Sequence, residues 1–125
     1  MSDERDPLTQ EVIGAAIEVH RVMGPGLLES VYQRCLEKEL GIRGMSFISQ
    51  ARLPLIYKGE SLGDDLLMDF YFPNTLVIEI KAVDKLAPIH EAQLMTYLRL
   101  SKTRVGLLVN FNVPLLKDGI RRLVV

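Results

Sequence analysis

The chain predicts an α/β domain in the order helix, helix, three strands, helix, strand, and three observations carry that expectation. Apolar residues recur at helical spacing up to about Leu40, and the period then shortens to strand-like alternation from Phe47 to Val83. Helical spacing returns in "PIHEAQLMTYLRL", followed by the nearly all-apolar "RVGLLVNF". A length of 125 residues suits one domain with one core. Residues 1–125 are therefore read as a single domain, with residues 1–7 flexible.

Along residues 8–23, Val12, Ala16, Val19 and Met23 form one stripe, with Ile13, Ile17 and His20 beside it. Asp6-Pro7 starts this helix as cap and first helical residue. Gly24-Pro25-Gly26 ends it, because proline cannot continue the ladder and glycine accepts a left-handed cap. A second helix is expected over residues 27–40, burying Leu28, Val31, Cys35 and Leu36 and closed by Gly41 and Gly44. Residues 47–57 read as one long strand bent at Pro54, and Lys58-Gly59 as a turn. Strands follow at 66–72 and 76–83, and a helix starts after Pro88. "RVGLLVNF" reads as an interior strand and "GIRRLVV" as a short edge strand.

The composition limits what the protein does. Hydrophobic residues are 48% and charged residues 25% of the chain, ordinary globular values that exclude general disorder. No apolar run approaches the roughly 20 residues of a spanning helix, so no membrane partner is expected. The first residues are acidic and polar, with no secretory signal. Cys35 is the only cysteine, which excludes an internal disulfide and fits a reducing cytoplasm. A net charge of −1 supplies no global attraction to nucleic acid, so such a partner needs a local basic surface.

One stretch stands out. In "NTLVIEIKAVDKL", Glu79 and Lys81 interrupt an apolar strand, and burying either charge without partners is costly. Alternation puts Leu67, Asp69 and Tyr71 on one face of the preceding strand, and Val77, Glu79 and Lys81 on one face of this one. If the strands pair across Pro73-Asn74-Thr75, Phe72 faces Leu76 and Asp69 lies opposite Glu79. A two-residue loop would put the carboxylates on opposite faces. Opposed carboxylates repel unless a proton or cation sits between them, and oxygen donors suit Mg²⁺ or Mn²⁺. Lys81 then orients a water or stabilises phosphate charge. The alternative is an exposed sheet face with a Glu-Lys salt bridge.

Asp69 with Glu79-Ile80-Lys81 resembles the D...E-x-K motif of the PD-(D/E)XK nuclease superfamily. Gly26-Leu27-Leu28-Glu29-Ser30-Val31-Tyr32 matches the name-giving pattern of the GxxExxY proteins, a prokaryotic family assigned to that superfamily. "AAIEVHRVMGPGLLE", "LAPIHEAQLMTYLRL" and "VGLLVNFNVPLLKDGIRRLV" are also similar to that family, so the likeness runs over residues 8–125. It implies a restriction-endonuclease-like core, a mixed β-sheet flanked by helices in αβββαβ order, with an additional N-terminal helix. It implies further that Asp69 and Glu79 hold Mg²⁺ or Mn²⁺ through their side chains and Ile80 through its carbonyl. Lys81 positions the nucleophilic water, and Glu29 supplies another metal-binding acid. Gln93 and Tyr97 match a Q-x-x-x-Y pattern, face the same way one turn apart, and hold Lys81, a water or a substrate phosphate.

Other residues tempt less. His90-Glu91-Ala92-Gln93 lacks the second histidine of a zinc protease motif. His20 reads as packed or capping, Cys35 as structural, and Tyr32 as packed with its hydroxyl reaching the site. Arg99, Lys102 and Arg104 complement a helix dipole or contact phosphate. Three functions follow: a metal-dependent nuclease acting on DNA or RNA, a non-catalytic nucleic-acid- or protein-binding module, and an accessory subunit directed by a partner protein or homodimer. No residue reads as a base-specific contact.

Overall fold

The computed structural model describes residues 6–63 and 66–125. The flexibility expected of residues 1–7 lies, for residues 1–5, outside these; Asp6 and Pro7 are the cap and first residue of a helix. The chain forms two compact units. One comprises the described part of Met1–Ser46 with Ile80–Leu86 and Val109–Ile120; the other comprises the described part of Phe47–Glu79 with Ala87–Leu108 and Arg121–Val125.

The first unit holds helices α1 (Pro7–Met23) and α2 (Glu29–Ile42). The Asp6 carboxylate accepts hydrogen bonds from Leu8 N–H at 3.1 Å and the Thr9 hydroxyl at 2.7 Å, satisfying donors at the helix start. Gly24 ends α1 at φ 71°, its N–H donating to His20 O. Val12, Ala15, Ala16 and Val19 are buried on α1, while Ile17 and Met23 stay exposed.

The buried face of α2 differs from the expected one. Tyr32, Gln33, Leu36 and Leu40 are buried, Val31 and Cys35 are half-buried, and Leu28 is a cap residue that is 73% exposed. The Tyr32 ring stacks on Phe111 with centroids 4.5 Å apart, so the large aromatic takes the core position and turns the smaller residues outward. Tyr32, Leu36 and Leu40 then continue one i, i+4 ridge.

In the second unit the long bent strand becomes two. β1 (Ile48–Leu53) stops at Pro54, which cannot donate to a ladder, and β2 (Ile56–Tyr57) pairs with an unanticipated β3 (Glu60–Ser61). Lys58 and Gly59 both take positive φ, the conformation that two-residue hairpin turns require. β4 (Leu66–Phe72) and β5 (Leu76–Lys81) are followed by α3 (Pro88–Ser101), β6 (Val105–Asn110), a 3-10 turn (Leu116–Gly119) and β7 (Ile120–Val124). The five-stranded mixed sheet has the order β1-β4-β5-β6-β7, so β7 is the expected edge. β5 connects to its neighbour β6 through α3, the crossover that parallel neighbours need. α3 starts with Pro88, and His90 Nδ1 accepts the Ala87 N–H at 2.9 Å, which makes His90 a cap.

Leu76, Val77, Ile78, Glu79 and Ile80 are all buried, as a central strand requires. β5 ends at Lys81 instead of the expected Val83, and the reason is an amide. In the first unit the Asn110 side chain accepts Val83 N–H and donates to Val83 O, occupying the backbone groups that a longer strand would use.

Candidate active site

The β4–β5 hairpin has the register expected of it. Phe72 pairs with Leu76, Tyr71 with Val77 and Phe70 with Ile78, across the turn Pro73-Asn74-Thr75. Asn74 sits at φ 62°, a conformation asparagine tolerates, and Thr75 N–H closes the turn on Phe72 O at 2.9 Å. One step further in this register sets Asp69 against Glu79. The Asp69 N–H donates to Glu79 Oε2 at 2.8 Å, so a carboxylate that is 4% exposed has a backbone donor.

The two acids therefore do more than confront each other. Glu79 is turned to the neighbouring backbone, and Asp69 Oδ1 accepts a hydrogen bond from Gln50 Nε2 at 3.2 Å. Each bond gives a carboxylate oxygen a donor, which offsets part of the cost of setting the two acids side by side. Gln50 lies in β1 at φ 51°, a left-handed position that costs on the order of 1–3 kcal/mol for a non-glycine residue. Nothing in the alternating pattern around Gln50 signals that conformation.

Gln93 and Tyr97 lie one turn apart on α3, as expected, and Gln93 Nε2 donates to Tyr97 Oη at 3.3 Å. The Tyr97 phenol is pushed above its ordinary range, first by burial and then by the negative charge of Glu79, with Asp69 adding in the same direction; the Gln93 hydrogen bond opposes them. Tyr97 thus sits in the field of both carboxylates. Gln50, Asp69, Glu79, Gln93 and Tyr97 all belong to the second unit.

Lys81, two residues beyond Glu79, is the half-buried last residue of β5, and its carbonyl accepts the Phe111 N–H at 3.0 Å. Ile80 is buried. Glu29 is the exposed first residue of α2 and, like Ile80 and Lys81, belongs to the first unit. Tyr32 requires a correction, because its hydroxyl serves the loop between α1 and α2. It donates to Gly24 O at 2.6 Å and accepts Leu27 N–H at 3.2 Å, satisfying backbone groups that Gly24-Pro25-Gly26 leaves outside any helix. His20 is structural as well, hydrogen-bonded through Nε2 to Val113 O at 2.7 Å.

Among the described residues no group of three or more His, Cys, Asp or Glu side chains is arranged to hold a metal ion. Asp69 and Glu79 nevertheless offer a donor set of the right chemistry for a hard divalent cation, which binds oxygen and keeps several waters of its own.

A family model described as the PD-(D/E)XK nuclease superfamily matches residues 6–123. The curated proteins and the solved structures compared with the chain gave no match.

Proposed function

Because the chain belongs to the PD-(D/E)XK nuclease superfamily, we propose that it is a nuclease that hydrolyses phosphodiester bonds of DNA or RNA with Mg²⁺ or Mn²⁺. The observation that carries this reading is the hairpin register, which brings Asp69 to the Glu79 strand position within a chain matched almost from end to end. The pattern at residues 26–32 refines the assignment toward the GxxExxY proteins.

Asp69 and Glu79 would hold the ion through their side chains, with the carbonyl of the next residue, Ile80, beside them. When bound, the ion supplies Lewis acidity, lowering the pKa of a water and neutralising charge at phosphorus. Lys81 follows Glu79 by two residues, so strand alternation gives both the same side, from which the ammonium orients the attacking water and stabilises phosphate oxygens. The Tyr97 phenol is protonated at neutral pH, as its ordinary value of about 10 already requires, so it serves as a hydrogen-bond donor. With Gln93 it holds Lys81, a water or a phosphate oxygen.

A net charge of −1 gives weak general attraction to a polyanion, so nucleic-acid affinity rests on local cations such as Arg99, Lys102 and Arg104, or on a partner protein or a second copy. The single Cys35 suits work in the cytoplasm, where it stays reduced. The test is cleavage of single- and double-stranded DNA and RNA with Mn²⁺, with chelator and with Asp69→Asn. Metal-dependent cleavage that disappears in the variant supports the proposal. Metal binding without turnover on any of the four substrates replaces it with the binding or accessory reading.

A further inference from the structure

We propose that Gln50 is a positioning residue that holds the Asp69 carboxylate in the orientation in which the site receives its cation. The inference rests on the nuclease reading above and adds a residue that the D...E-x-K and Q-x-x-x-Y patterns do not contain.

Two observations point to it. The first is conformational. Among the described residues, four non-glycine residues have positive φ: Gln50, Lys58, Asn74 and Lys102. Lys58 and Asn74 occupy hairpin turns and Lys102 caps the end of α3, places where the chain has to reverse or stop. Gln50 alone lies inside a strand. The ladder runs Ile48↔Tyr71 and Ser49↔Phe70, then resumes at Ala51↔Met68 and Arg52↔Leu67. The offset between partners is the same on both sides of Gln50, so no inserted residue forces the turn of its backbone. Glutamine has no intrinsic preference for this conformation.

The second observation is what the conformation accompanies. The Gln50 amide donates to Asp69 Oδ1 at 3.2 Å, from the position that stands against Asp69 in the β1–β4 register. A donor on one oxygen favours the ionised carboxylate and restricts rotation of its plane, which decides how the group meets a cation. Gln50 is exposed, so burial of its side chain does not account for its being held there. A strained backbone position that aims one amide at one carboxylate is a positioning device, and such strain concentrates where function requires it.

The experiment measures Mn²⁺ affinity of the full chain by calorimetry or electron paramagnetic resonance, with melting temperature in chelator, for wild type, Gln50→Gly, Gln50→Ala and Asp69→Asn. Glycine takes φ near 51° without strain, so Gln50→Gly melts at or above the wild-type temperature in chelator. Its Mn²⁺ affinity falls by roughly tenfold or more, the usual consequence of losing a group that orients a metal ligand. Gln50→Ala loses the same amide and keeps the strain, so it matches Gln50→Gly in Mn²⁺ affinity while melting lower. A structural role would move stability and leave Mn²⁺ affinity unchanged. If Asp69→Asn abolishes binding and both Gln50 variants bind like wild type, the positioning role is overturned and the nuclease reading stands. If wild type and Asp69→Asn bind Mn²⁺ alike, or neither binds, the metal reading fails and the role of Gln50 falls with it.

Discussion

Polar side chains have different tasks in the two units. In the first, three of the partly buried ones close backbone: Tyr32 holds Gly24 O and Leu27 N–H, His20 holds Val113 O, and Asn110 holds both groups of Val83. Its charges stay at the surface as short ion pairs, Glu18 with Arg21, and Arg43 with Glu11 and Glu39. Exposed pairs of this kind contribute little. In the second unit an acid is buried and polar side chains bond one another or the backbone of the neighbouring strand: Glu79 with Asp69 N–H, Gln50 with Asp69, Gln93 with Tyr97. Groups that complete backbone stabilise a fold; burying an acid costs stability, and such groups concentrate where function needs them. Variants of the backbone-closing Tyr32, His20 and Asn110 should therefore change unfolding, and variants along Asp69 to Lys81, a stretch whose last two residues belong to the first unit, should change catalysis.

The largest effect expected is that of Lys81→Met, which keeps much of the bulk and removes the charge and its donors. Cleavage should fall by orders of magnitude while Mn²⁺ binding persists, because the ammonium acts on water and phosphate more than on the ion. Single-turnover cleavage beside an Mn²⁺ titration separates these. Equal loss of both would mean that Lys81 maintains the hairpin and would blur the contrast between the units.

Next in size is Gly119→Ala, a test of the first unit's backbone closure. A Cβ at Gly119 would collide with the Asn110 carbonyl oxygen and crowd Val113 Cγ2 at 3.1 Å. Backbone has to move, and the Asn110 clamp on Val83 moves with it. Overpacking of this kind costs typically about 1–3 kcal/mol, readable as a lower denaturant midpoint. Tyr32→Phe should cost less, about 1 kcal/mol, through loss of the hydrogen bonds to Gly24 and Leu27 with the Phe111 stack retained. Its folded fraction should cleave like wild type. A Tyr32→Phe variant that is stable but inactive would return the hydroxyl to the site.

The contrast was only partly legible in the residues. The hairpin was, because alternation and a three-residue loop together admit one register for Asp69 and Glu79. α1 was also legible, since Asp6-Pro7 and Gly24-Pro25-Gly26 act locally. The face of α2 was legible only in part: Tyr32 read as packed and Leu36 as buried, but that Tyr32 displaces Leu28 from the core depends on Phe111, far along the chain. Likewise, the end of β5 depends on Asn110, and the left-handed Gln50 is met only in the fold. Long-range partners decide which of several locally acceptable arrangements is used, and a single sequence carries no direct record of them. In the candidate site, the charged residues showed themselves by breaking an apolar pattern, whereas Gln50, uncharged and in step with its strand, left no mark.

The smallest effect expected is electrostatic and reads the second unit from within. Burial and the charges of Glu79 and Asp69 raise the Tyr97 pKa, so the folded protein keeps the phenol proton at a pH where the unfolded chain, titrating near the ordinary value of about 10, has released it. In that window the folded state binds more protons than the unfolded one, and stability falls as pH rises. The contribution is fully present below the unfolded pKa and is lost as pH passes through the raised folded value. Tyr97→Phe removes this dependence, so the difference in unfolding free energy between variant and wild type should be flat at neutral pH and should shift in favour of the variant above about pH 10. Glu79→Gln removes one of the charges that raise the pKa and should bring the Tyr97 phenolate transition, followed by ultraviolet absorbance against Tyr97→Phe, to lower pH. An unchanged transition in Glu79→Gln would separate Tyr97 from Glu79 and leave its raised pKa to burial and Asp69.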